Sequence, residues 1–167
     1  ATEADKAVRL LDVLMADYDV VVMNPPYGDL PEEAARYLKR LYPSTKNDVY
    51  AAFYERALQL LRGRGYVGAL TSRTYLSLSS FEDLRREILL EQGYPKTILD
   101  LGFGVLDDAV VETCATVLLA DSSLSWSDVQ GVFFRLNSLG NSRQAILQTL
   151  LQEIACQETS EFAHNVP

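Results

Sequence analysis

The chain has 167 residues, 48% hydrophobic and 23% charged, with a net charge of −8 and a pI near 4.6. That is ordinary globular composition for one domain with a core, but the acidic balance argues against a free-standing DNA binder, whose affinity needs a basic face. No apolar run approaches the roughly 18 residues of a membrane span and no signal peptide is readable, so a cytoplasmic location without a membrane partner is expected.

Residues 3–17 place Val8, Leu11 and Leu14 or Met15 on one helical face. Tyr18–Met23 (YDVVVM) is a continuous β-branched run of the kind buried on both faces of a parallel sheet. It ends at Asn24-Pro25-Pro26-Tyr27-Gly28, which fits neither a helix interior nor a central strand. A helix is predicted over Pro31–Leu41, with proline leading and Glu32 and Glu33 in the first turn. After a polar break at 42–46, Asn47–Arg62 is the clearest helix, with Val49, Phe53, Ala57 and Leu60 or Leu61 on one face and Gly63 and Gly65 as its stop.

Tyr66–Leu70 reads as a short buried strand, followed by the polar Thr71-Ser72-Arg73-Thr74. Ser80–Leu90 reads as a helix with Ser80 and Asp83 spaced as a capping box. Thr97–Leu101 and Thr113–Ala120 are two further strands with no helix between them, so they should pair antiparallel. The order implies an α/β fold, a mostly parallel sheet with helices on both sides and an antiparallel pair at its end. The expected organisation is a partial catalytic domain over 1–120, a linker over 121–128, and an extension over 129–167 comprising a strand (129–136), a helix (141–154) and a frayed tail.

Asn24-Pro25-Pro26-Tyr27 is the feature that carries chemistry, because open α/β sheets bind ligands outside the carboxyl ends of their strands. An exocyclic adenine amine is a poor nucleophile, its lone pair being delocalised into the ring. Two hydrogen-bond acceptors on its N–H groups favour a pyramidal nitrogen that can attack a sulfonium methyl. The Asn24 side chain and the Pro25 main chain each offer a carbonyl, and the two prolines hold them rigidly. Tyr27 offers a ring to stack on a base drawn out of its duplex.

Asp19–Tyr27 (DVVVMNPPY) resembles motif IV of the amino-methyltransferases. Lys46–Phe53, Gly65–Tyr75, Phe81–Leu89 and Val105–Leu119 resemble, in order, the segments that follow it in adenine-N6 DNA methyltransferases. The likeness is strongest to the large fused restriction–modification and BREX-type phage-defence enzymes. It implies a partial Rossmann-like methyltransferase sheet that transfers a methyl group from S-adenosylmethionine to adenine N6. Asn24, Pro25, Pro26 and Tyr27 would be catalytic, Asn24 and Asp48 would border the donor, and Tyr27, Phe103 and Leu106 would meet the base.

Leu106 stands where the family usually has an aromatic before the acidic pair of motif VIII, and Phe103 lies nearby, as its substitute or as a core ring. The family's glycine-rich donor loop precedes motif IV, whereas the residues before Asn24 contain no glycine. Asp100-Leu101-Gly102-Phe103-Gly104 is not that loop, since a β-branched run rather than a helix follows it. The resemblance therefore implies a fragment of a larger enzyme, inactive alone, gripping DNA through other parts and pairing with a second copy along an exposed sheet edge.

Asp48 and Tyr50 either border the pocket or cap and pack a helix. Arg73 reads as a solvated loop arginine or a phosphate contact, Arg85-Arg86 as a solvated helix face, and Asp107-Asp108 as a turn rather than a metal site. No metal is expected. Cys114 and Cys156 read as buried thiols, and His164, the single histidine, leaves no triad base. Three other readings stay open: a methyltransferase of RNA bases or of protein glutamine, a non-catalytic interaction module, and, last, a dehydrogenase.

Overall fold

The computed structural model describes residues 2–28, 30–106, 111–137, 144–149 and 152; Asp107, Asp108, Cys156 and His164 lie outside them. Its first helix, α1 (Glu3–Met15), begins at a capping box in which Thr2 and Asp5 satisfy each other's backbone N–H groups. No residue of α1 is buried, so its apolar stripe of Val8, Leu11, Leu14 and Met15 faces outward. Strands β1 (Tyr18–Met23), β2 (Leu61–Ser72), β3 (Tyr94–Gly102), β4 (Thr113–Ala120) and β5 (Val132–Arg135) form one sheet in the order β1-β2-β4-β3-β5. β1 pairs parallel with β2 and β5 with β3, while β4 runs antiparallel to both its neighbours. β4 alone is reversed, as the absence of a helix before it foretold.

α2 (Glu32–Leu41) and α3 (Val49–Gln59) lie between β1 and β2 in the chain. α3 lays Tyr50, Ala51, Tyr54 and Ala57 on Val67, Ala69, Cys114 and Leu118 of the sheet, and Phe81, Leu84, Ile88 and Leu89 close the same core. The buried face is one residue out of phase with the expected one, and Phe53 remains 44% exposed. Among the described residues helices cover this face only. On the other, Val22, Leu70, Leu99 and Val117 line an open apolar hollow of about 420 Å³. β1 is correspondingly an edge strand with Val22 81% exposed, rather than one buried on both faces.

Two boundaries moved for physical reasons. α3 stops at Gln59, and Gly63 and Gly65 belong to β2, where the β1–β2 register jumps between the Tyr18–Leu61 and Val20–Tyr66 pairs. A Cβ at Gly65 would lie 2.7 Å from the Asp19 carbonyl oxygen, so glycine there answers a close strand crossing rather than a helix stop. Ser80 and Asp83 form no capping box: they sit inside a stretch of a 3₁₀ turn (Ser79–Phe81) continuing into a π-helical turn (Leu84–Leu89). β5 joins the sheet beside β3, and residues 144–149 are helical.

Candidate active site

β1 ends at Met23, and the chain turns out of the sheet through Asn24–Gly28. Asn24 and Pro26 are exposed, Pro25 is buried and Tyr27 is half-buried. The Tyr27 ring packs edge-on against Tyr50 of α3, with centroids 6.3 Å apart. Its hydroxyl lies 3.0 Å from Asn24 Oδ1 and 3.1 Å from the Leu70 carbonyl oxygen. One proton thus serves two acceptors, and burial raises the Tyr27 pKa, so the hydroxyl stays a donor. Asn24 Oδ1 keeps capacity for a second donor, and no hydrogen bond among the described residues reaches the Pro25 carbonyl.

Beyond Tyr27 opens a cavity of about 520 Å³, lined by Tyr27, Gly28, Asp48, Ser72, Thr74, Phe103, Val111 and Glu112. The fold brings these together because β1, β2 and β3 end on one side and the reversed β4 begins there. Asp48 caps α3, its carboxylate accepting the Tyr50 N–H at 3.2 Å, while also forming cavity wall. Phe103 is 56% exposed at the cavity, whereas Leu106 is not among its lining residues.

Beneath the wall lies a layer of buried hydroxyls. Tyr50 Oη meets Thr74 Oγ1 at 2.9 Å, Ser72 Oγ meets the same atom at 3.0 Å, and Tyr75 Oη meets Thr116 Oγ1 at 2.6 Å. Burial raises the pKa of Tyr50 and Tyr75 well above the usual phenol value and that of Tyr54 to about 12, so these groups are structural donors rather than bases. Burial likewise pushes the Cys114 thiol up, away from nucleophilic thiolate.

Arg73 is neither a solvated arginine nor a free phosphate ligand. Its guanidinium bridges Asp100, fully buried at the end of β3, at 3.0 Å and Glu112, at the cavity wall, at 3.1 Å. Asn137 donates to the same Asp100 oxygen at 3.1 Å, and the Leu136 N–H donates to the Asp100 carbonyl at 2.8 Å. Arg85 is likewise tied down, donating to the Tyr75 and Leu78 carbonyls, while Arg86 fits the solvated face expected of the pair. Ser72, Thr74 and Glu112 escaped the sequence reading; the polar run directly after β2 was the available signal.

The sequence matches the family model of the Eco57I restriction-modification methylase over residues 4–105. It is 34% identical over 134 residues to the adenine-specific methyltransferase BrxX of Escherichia coli O9:H4 (strain HS), covering 74% of this chain and 10% of that protein. It is 33% identical over 89 residues to the adenine-specific methyltransferase PglX of Lacticaseibacillus casei (strain Zhang), covering 52% of this chain and 7% of that one. The chain thus spans a tenth or less of these relatives' length. In three dimensions it is similar to a class I S-adenosylmethionine-dependent methyltransferase of Listeria monocytogenes, with a TM-score of 0.60 at 19% identity over 84% of this chain and 43% of that one. The fold is that of the class I methyltransferases.

Proposed function

The chain belongs to the Eco57I restriction-modification methylase family, and we propose that it forms the amine-binding side of a centre that methylates adenine N6 in DNA, acting within a larger protein. The single observation that carries this reading is the pair of acceptors at the end of β1: exposed Asn24 Oδ1, which accepts from Tyr27 and keeps room for a second donor, and the Pro25 carbonyl, which no donor among the described residues occupies. Asn24 lines the open hollow rather than the 520 Å³ cavity, so an adenine amine reaching over the loop would give one N–H to each acceptor. Both bonds draw electron density from the N–H bonds and favour the pyramidal nitrogen, whose lone pair forms the new N–C bond as the donor's S–C bond breaks. One proton then leaves the nitrogen for solvent.

S-adenosylmethionine supplies the electrophilic methyl when bound; Asn24, at the strand end, and Asp48, at the cavity wall, are this chain's side chains that would border it. Tyr27 fixes the Asn24 amide through its hydroxyl and walls the cavity, where Phe103 supplies an exposed ring for an extruded base. The reaction would take place in the cytoplasm, on genomic DNA. The β1 edge, unpaired among the described residues, also supports self-association, which light scattering would register as a doubled mass of the isolated chain and which a strict monomer at high concentration would exclude.

Methyl transfer from tritiated donor to adenine-containing duplex by the intact gene product tests the reading. Asn24→Ala should lower kcat on the order of 10²–10³-fold. Because Asn24 is exposed, its urea midpoint should not move. Transfer to tRNA or to a glutamine peptide, but not to duplex, would redirect the substrate assignment.

A further inference from the structure

Residues 34–47 carry Arg36, Lys39, Arg40 and Lys46 and no acidic residue, in a chain whose net charge is −8. All four cations are exposed. Most other basic side chains are held by partners: Arg56 and Arg62 by backbone carbonyls, Arg64 by Asp121, and Arg73 by Asp100 and Glu112. Lys39 and Lys46, by contrast, have no partner among the described residues, and Arg40 only lies over the exposed Tyr37 ring at 5.9 Å. Arg36 has Glu32 at 4.0 Å, with both side chains well exposed, and Glu33 shares a surface hollow with Arg36, Tyr37 and Arg40.

Two features tie this cluster to the candidate site. The excursion that bears it leaves the cavity rim at Gly28 and returns to it at Asp48, both of which line the cavity. Its return limb is also pinned: Thr45 donates to Glu55 at 2.9 Å, Ser44 donates to Glu87, and Asn47 donates to the Ser80 carbonyl. Lys46 therefore stands on an anchored limb that returns to the cavity, and Lys39 and Arg40 occupy the last turn of the helix that precedes it. Complementing the α2 dipole would explain Lys39 and Arg40 in its last turn, but Lys46 lies beyond the helix end at Leu41.

We propose that residues 36–46 form a phosphate-contacting arm in which Lys39, Arg40 and Lys46 grip the DNA backbone beside the base held in the cavity. This rests on the DNA-methylation reading and adds a DNA contact that the overall acidity of the chain hides. Phosphate contacts position a duplex without reading its sequence, so the arm serves placement rather than target choice. Tyr37, exposed among the cations, offers the aromatic surface that accompanies such backbone tracks.

The test is the salt dependence of duplex binding by the intact gene product, read by fluorescence anisotropy. Each phosphate contact removed lowers the slope of log Kobs against log salt by about 0.9, so Lys39→Gln/Arg40→Gln/Lys46→Gln should lower it by about 2.7, equally on target and non-target duplex. Lys6→Gln/Arg9→Gln, on exposed α1, should leave it unchanged. An unaltered slope in the triple variant, or an equal fall in the α1 control, overturns the arm. Should the triple variant lose its fold, Lys46→Gln alone decides, with an expected fall of about 0.9. Methyl transfer measured on the same wild-type preparation separates the two ideas: activity with an unchanged slope sinks the arm alone, and a reduced slope without adenine methylation sinks the activity and keeps the arm.

Discussion

Replacing Arg73 by methionine should destabilise the chain far more than a surface arginine would. Asp100 is 0% exposed, and Arg73 Nη2 lies 3.0 Å from its carboxylate. At an effective dielectric of about 20 that contact is worth about 5 kcal/mol. Breaking a buried pair from one side typically costs about 3–5 kcal/mol, because the remaining charge is stranded. Here Asn137 still donates to Oδ2, while Oδ1 has no hydrogen-bond partner among the described residues, and the guanidinium side is 26% exposed. Partial exposure and the Asn137 bond place the expected loss at about 3–4 kcal/mol. With a urea m-value of about 2 kcal/mol/M, the unfolding midpoint should drop by about 2 M. Arg73→Met/Asp100→Leu should recover at least half of that loss, since no buried charge remains. A single-variant cost below about 1 kcal/mol, the value of an exposed pair, would refute the reasoning.

Tyr27→Phe keeps the ring against Tyr50 and removes the hydroxyl that fixes Asn24; stability should fall by about 1 kcal/mol and kcat by about tenfold with KM little changed, and a purely raised KM would contradict the positioning role. Alkaline pH should unfold the chain. The folded pKa of Tyr54 and Tyr75 is raised by burial, so their contribution is complete below pH 10 and lost as pH rises through the folded values. Between pH 10 and about 12 the unfolded chain has released the Tyr54 proton and the folded chain has not, which costs about 1.4 kcal/mol per pH unit for that ring, and Tyr75 acts in the same direction. Tyrosinate absorbance should therefore lag for these two rings until circular dichroism is lost; complete ionisation near pH 10 in a folded chain would contradict it.

What could be read from sequence was what local chemistry decides. The β-branched run followed by two prolines located β1 and its exit loop, and the missing helix before Thr113 gave the reversal of β4. Long-range pairing decided what was missed. β2 starts at Leu61 because the Tyr18 N–H and the β1 ladder claim that segment, overriding a helical periodicity that ran through to Arg62. The α3 face was set by Tyr50 and Tyr54, whose hydroxyls find threonines on β2 and just beyond it, a pairing that no spacing within the helix reveals. Asp100 and Arg73 lie on different strand ends, and nothing in either neighbourhood announces that they meet.

The single reversed strand has an implication for how such a chain can diversify. Gly102 and Thr113 face each other across the β3–β4 ladder, and the Thr113 hydroxyl donates to the Gly102 carbonyl at 3.1 Å. The connection between them therefore starts and finishes at one point on the cavity rim. Lengthening it adds only slowly growing closure entropy, about 0.6 kcal/mol per doubling, and shifts no ladder pair. New side chains can be grafted over the cavity mouth while the strands that hold Asn24 and Pro25 stay where they are.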